Sequence, residues 1–118
     1  MHKHPEIHWV GAIDWSVRNF HGYTTEYGST YNSYLIDDQN PTIIDTVKAP
    51  FFNEYISRIT KYVQLDAIKY MVILHAEPDH SSCLPLIYQY LSNCTIVTNK
   101  LCHRLLLMLY PSLQFAKF

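Results

Sequence analysis

Glycine is scarce in this chain, at 3 of 118 residues, and so few cannot form the glycine-rich loop that cradles a phosphate. Cysteine is equally sparse. Cys83, Cys94 and Cys102 form no C-x-x-C pair, and an odd number leaves one thiol outside any disulfide set, which suits a reducing compartment. A basic block is missing as well. With 9 Lys+Arg against 10 Asp+Glu and a net charge of −1, the chain lacks the cationic footprint that binds nucleic acid by releasing counterions. The longest apolar run, Leu105 to Tyr110, is closed by Arg104 and Pro111 and falls far short of the roughly 20 residues that span a bilayer. Neither nucleic acid nor a membrane is an expected partner. The start, Met1-His2-Lys3-His4-Pro5-Glu6, leads into no apolar stretch with a small-residue cleavage site, so a cytoplasmic address is the default expectation.

Hydrophobic residues make up 48% of the chain and aromatics 14%, ten of them Tyr, which favours a packed fold over a disordered segment. The length limits that fold to one domain. Ile7 to Val10 reads as a short strand. Gly11 to Ser29 reads as a long loop with a β-prone Tyr23-Thr24-Thr25 inside it. Tyr31 to Ile36 and Thr42 to Asp45 flank Asp37-Asp38-Gln39-Asn40-Pro41, whose residues are turn formers, so a β-hairpin is expected. Phe51, Phe52, Tyr55, Ile56, Ile59, Tyr62 and Val63 fall on the three-and-four spacing of an amphipathic helix, with Pro50 in its first turn. Tyr70 to Leu74 reads as a buried strand. A helix is expected from Ser81 or Ser82 to Leu91, then a strand over Cys94 to Val97. A last helix, capped by Thr98, runs to about Leu109 before Pro111. This order predicts an α/β fold with a mixed sheet covered by helices on one face. The two nearly continuous apolar strands call for burial on both faces, which leaves the second face without a layer of its own.

Between a buried strand and a helix lies His75-Ala76-Glu77-Pro78-Asp79-His80, four potential metal ligands in six residues. Pro78 disfavours helix at Glu77. In extended chain His75, Glu77 and Asp79 share one side, and His80 joins them from the following turn. A helical H-E-x-x-H zinc site is excluded by spacing and by the proline. Two imidazoles and two carboxylates crowd one tetrahedral ion but suit two adjacent ions. The oxygen-rich, thiolate-free set favours iron or manganese over structural zinc. Asp79 by itself could equally be a cap for the next helix.

The motif H-x-E-x-D-H, present as His75, Glu77, Asp79 and His80, resembles that of the flavodiiron proteins, or A-type flavoproteins, which include the flavorubredoxins. The resemblance extends through Trp9-Val10-Gly11 with Asp14-Trp15, Phe20-His21-Gly22-Tyr23, Gly28-Ser29-Thr30-Tyr31-Asn32-Ser33-Tyr34-Leu35-Ile36 and Ile44-Asp45-Thr46-Val47. It implies the first half of a metallo-β-lactamase-like αββα sandwich, part of a domain that holds two iron ions and reduces dioxygen, nitric oxide or both. By the motif, His75 and Glu77 would bind one iron and Asp79 and His80 the other, with His21 close behind the centre. Electrons would come from FMN in a flavodoxin-like domain of a neighbouring subunit, supplied in turn by a rubredoxin-like or flavin donor.

The family carries a further His, a bridging carboxylate and a final His downstream of the motif, followed by the FMN domain. These are not found in the 118 residues, so the expectation is a partial domain completed in a homo-oligomer or by a partner chain. His103, in Leu101-Cys102-His103-Arg104-Leu105, reads as an ordinary helix residue. His2, His4 and His8 read as terminal or strand residues that could gather a metal adventitiously. Two other functions stay open: a noncatalytic remnant or interaction module that pairs through its uncovered sheet face, and a metal-dependent hydrolase of the same fold. Glu77 disfavours the hydrolase, for it replaces a neutral imidazole that a zinc site would want.

Overall fold

A computed structural model describes residues 4–15, 19, 20, 23, 24 and 28–118. Its main sheet has five strands: β1 (Glu6–Trp9), β6 (Tyr34–Asp37), β7 (Thr42–Ile44), β8 (Tyr70–Val72) and β9 (Thr95–Val97), side by side in that order. Short strands β2 (Ala12–Asp14) with β5 (Ser29–Tyr31), and β3 (Asn19–Phe20) with β4 (Tyr23–Thr24), form two antiparallel ribbons. The expected loop from Gly11 to Ser29 therefore contains strands. Its turn chemistry is local: Gly28 has φ +88°, and a Cβ there would lie 2.1 Å from the Asp14 carbonyl oxygen, so only glycine fits.

The hairpin forms as its turn residues predict. Asp38 accepts from the Gln39 amide at 2.8 Å, and the Thr42 hydroxyl donates to the Asn40 carbonyl at 2.9 Å. Its first arm differs from the expected Tyr31 to Ile36 run. Tyr31 belongs to β5 in the small ribbon, and β6 starts afresh at Tyr34. Strands β1, β6 and β7 are antiparallel, whereas β7, β8 and β9 are parallel, so the sheet is mixed.

Parallel neighbours need crossovers, and helices supply them. A 3-10 turn (Ala49–Phe51) leads into α1 (Phe52–Ile59), which buries Tyr55 and Ile59. The helix expected from Ser81 or Ser82 to Leu91 is the shorter α3 (Leu84–Tyr88), and a separate short helix, α2 (Pro78–Ser81), precedes it; each has proline in its first turn. Two prolines seven residues apart each remove an amide donor, and one continuous helix would have to contain Pro85 in its interior. The last helix, α4 (Lys100–Leu109), is capped by Asn99, which accepts from the Cys102 amide at 2.8 Å. Thr98, the expected cap, instead donates its hydroxyl to the Ile73 carbonyl at 2.7 Å and ties the strand end to its neighbour. His103 lies within α4, half-buried, with its ring stacked on Phe118 at 3.9 Å.

The core lies on one side of the sheet. Leu35, Ile43, Met71 and Ile96 are paired in register across four strands and at most 1% exposed. They cluster with Tyr55 and Ile59 of α1, Leu84 and Ile87 of α3, and Cys102 and Leu106 of α4. On the other face Tyr34 pairs with Ile44, Ile44 with Val72, and Val72 with Val97. That face stands open: Tyr34, Tyr70 and Val97 are about two-fifths exposed and Ile7 is 70% exposed. Strands whose sequence calls for two-sided burial are thus covered on one side only. Among the described residues, no helix is long and apolar enough to cross a membrane.

Candidate metal centre

Because β7 and β8 run parallel with Ile44 opposite Val72, the chain segments leaving both strands emerge at the same sheet edge. Asp45 is the first residue past β7. Its amide donates to the Val72 carbonyl at 2.7 Å, and the backbone then turns through φ 59°, a left-handed conformation that aspartate tolerates better than most side chains. The bend is held firmly. The Asp45 carbonyl accepts from the hydroxyls of Ser33 at 2.8 Å and Tyr55 at 3.1 Å, and its Oδ1 accepts from the Leu74 amide at 2.9 Å.

Past β8 the chain enters the histidine-rich segment. Glu77 has extended geometry, φ −57° and ψ 134°, as Pro78 demands, and it is the residue before α2. Asp79 and His80 then lie on α2, so the extended alternation stops at Glu77, and a helical turn presents the last two residues. Asp79 is inside the first turn, and α2 has no side-chain cap, which disposes of the capping role for Asp79.

Two clamps fix α2 to the sheet edge. The His80 carbonyl accepts from the Thr46 amide at 3.0 Å and the Thr46 hydroxyl at 2.7 Å. Ser81, fully buried, donates to the Ala76 carbonyl at 2.8 Å while its oxygen lies 2.8 Å from the Tyr110 hydroxyl. Asp45, His75 and His80 consequently offer ligand atoms that all lie within 4.8 Å of one another. The two imidazole centroids are 4.4 Å apart, edge to face. Asp79 adds an oxygen 3.2 Å from His80 Nε2, at ion-pair distance but outside hydrogen-bond geometry.

Glu77 and His21 stand differently. Glu77 is exposed and outside the Asp45–His75–His80 group. It shares with His75 the wall of a cavity of about 430 Å³, whose remaining lining is Ala76, Pro78, Leu105, Met108 and Leu109. His21 lies outside the described residues. Asp45 is the site residue that sequence reasoning did not single out. The available signal was an aspartate directly after the apolar strand Thr42-Ile43-Ile44, at the end where a parallel neighbour delivers its own polar residues.

The site gathers ionisable groups in a partly buried place. Burial pushes the Asp45 carboxyl above its ordinary range, opposed by the Leu74 amide and by His75 and His80, while Asp79 adds to the rise. His75 Nδ1, His80 Nδ1 and Asp79 Oδ2 are all buried without a hydrogen-bond partner. Buried polar atoms are nearly always satisfied, and each one left unpaired costs about 1–3 kcal/mol. Three such atoms on motif residues, beside a buried carboxylate, fit bound metal.

Residues 30–115 match the family model described as ODP family beta lactamase. The chain belongs to this family. Within it, the chain is similar to the flavodiiron protein from Giardia intestinalis, whose crystal structure superposes with a TM-score of 0.88 at 50% identity, over 94% of this chain and 27% of that one. The rubredoxin oxygen:oxidoreductase of Desulfovibrio gigas superposes with a TM-score of 0.84 at 37% identity, over 89% of this chain and 26% of that one. An anaerobic nitric oxide reductase flavorubredoxin of an Enterobacter species is 47% identical over 92 residues, 76% of this chain and 19% of that protein. The chain is therefore a metallo-β-lactamase-like, flavodiiron-type sequence, and it spans about a quarter or less of the length of these relatives. Its one-sided sheet with helices on the covered face is half of an αββα sandwich.

Proposed function

We propose that this chain contributes part of a non-haem di-iron centre to an oxidoreductase that reduces dioxygen or nitric oxide, with His75 and Glu77 serving one iron and Asp79 and His80 the other. The observation that carries the reading is the group of orphaned buried ligand atoms on His75, Asp79 and His80. Iron, when bound, supplies one-electron steps and open positions for a small diatomic substrate. The protein's share is positioning. Thr46 and Ser81 hold α2 so that His80 and Asp79 stay beside His75, and the Leu74 amide orients the Asp45 carboxylate as a negative neighbour of both imidazoles. Leu105, Met108 and Leu109, each partly to largely exposed, form an apolar wall on the His75 and Glu77 side.

Four ligands are too few for two irons, and the open sheet face needs a second layer. We read both as calling for the same remedy: a completing segment or partner that packs on the face and brings the remaining ligands. FMN on a flavodoxin-like domain of a neighbouring subunit, fed by a rubredoxin-like donor, is the electron source this reading requires. Zinc hydrolysis is disfavoured, because Glu77 offers a hard anionic oxygen where that chemistry wants neutral imidazole.

The test is metal analysis of the chain purified anaerobically with its completing partner, beside His75→Ala and Glu77→Ala. Bound iron should fall at least twofold in each variant while folding, followed by circular dichroism, persists. Iron content unchanged by both substitutions would sink the assignment.

A further inference from the structure

The ligand atoms that the fold brings together are not the set that the H-x-E-x-D-H motif names. Asp45, His75 and His80 each offer one within 4.8 Å of the others, whereas Glu77 is exposed and stands outside the group. We propose that the chain by itself holds a single divalent first-row ion, Fe²⁺ foremost, between Asp45, His75 and His80, before a completing segment brings further ligands. This single-ion site rests on the reading of the His75 edge as a metal centre, and differs from it in ion count and in residues. Asp45 enters, and Glu77 is not needed.

His75 Nδ1 and His80 Nδ1 are both buried without a hydrogen-bond partner, a state in which buried polar atoms are seldom left. The two rings lie with their centroids 4.4 Å apart, so one ion lodged beside both supplies what they lack. Asp45 is the carboxylate already fixed in place. It is 6% exposed, and its Oδ1 accepts from the Leu74 amide at 2.9 Å. A carboxylate has about four lone-pair sites, so this one bond aims the group and leaves it able to bind an ion. Two imidazoles and one carboxylate, with positions left open, are the donor set of mononuclear non-haem Fe²⁺ sites. Donors around one such ion stand roughly 3 Å apart, so binding draws the two half-buried histidines slightly inward. Three protein ligands leave the ion in exchange with buffer, and titration reads it where iron content after purification does not.

The test is anaerobic titration of the chain alone with Co²⁺, whose visible absorption reports ligation and which Fe²⁺ displaces. The expected result is saturation at one equivalent, with affinity about tenfold or more weaker in Asp45→Asn and unchanged in Glu77→Gln. The asparagine oxygen can still accept from the Leu74 amide, so the substitution removes the charge and spares the bend. Carboxyl-carbon NMR of the unaltered chain keeps the test valid if Asp45→Asn fails to fold: one equivalent of diamagnetic Zn²⁺ should shift Asp45 and leave Glu77 in place. Saturation at two equivalents, no uptake at millimolar Co²⁺, or affinity that falls in Glu77→Gln and holds in Asp45→Asn would overturn the single-ion site. Those outcomes leave the di-iron reading to its own test, the iron content of the completed assembly in Glu77→Ala.

Discussion

The two faces of the main sheet are built from the same strands and meet opposite fates. One presents Leu35, Ile43, Met71 and Ile96, essentially sealed under α1, α3 and α4. The other presents Tyr34, Ile44, Tyr70, Val72 and Val97, apolar in type yet partly or largely open. Apolar character does not separate them, since the residues on both faces are aliphatic or aromatic. Helical cover does. The lesson is that the covered face accounts for the stability this chain has, while the open face records a layer that the sandwich architecture expects.

The comparison can be broken by mutation. On the covered face, Ile43→Ala should cost about 2–5 kcal/mol, the usual range for a fully buried aliphatic residue cut to alanine, measured by urea unfolding. Val97→Ala on the open face should cost below about 0.5 kcal/mol, the ordinary range for a surface position. Equal costs would mean that something already covers the open face. Removing the cap of α4 with Asn99→Ala should cost about 1 kcal/mol, a loss traceable to the amide of Cys102.

Alkali should also act through the covered side. Burial pushes the Cys83 thiol up to about 12 and Cys94 to about 11. Burial, then the hydrogen bond to and charge of Asp14, with a smaller push from Asp79, raise Tyr31 to about 12. Between roughly pH 9 and 12 the unfolded chain gives up these protons before the native one does, so the native state binds more protons and stability falls as pH rises. Denaturant midpoints should hold below pH 9 and decline above it, and both thiols should resist alkylation at pH 8 until the chain unfolds. The smallest effect on folding belongs to the pair Tyr70→Lys and Val97→Lys. It should leave the unfolding midpoint nearly unchanged while reducing self-association, seen by sedimentation, because it places charge on the open face.

Much of this was legible in the sequence. The hairpin followed from Asp38, Asn40 and Pro41, and the amphipathic helix from the spacing of Tyr55 and Ile59. The uncovered face followed from two apolar strands without a layer to cover them. What was not legible depended on competition between neighbours. Thr98 and Asn99 are both good caps, and the choice went to Asn99 because the Thr98 hydroxyl is already committed to Ile73 across the sheet. Tyr31 was assigned to the wrong strand because only Asn32 and Ser33 separate it from Tyr34-Leu35-Ile36, with no proline or glycine between them to mark a break, while its pairing is with Ala12 in another ribbon. The H-x-E-x-D-H segment announced metal chemistry, yet Asp45, thirty residues earlier, joins it only through the parallel register of β7 and β8. No local pattern displays such a contact.

The central claim is that the His75 edge becomes a di-iron centre once the open face is covered. It is tested most directly by counting iron per chain after anaerobic purification, for the chain alone and for the chain co-expressed with the completing half of a flavodiiron domain. The account predicts little iron alone and about two per chain in the complex. A stable complex with its sheet face covered and still no iron would contradict it.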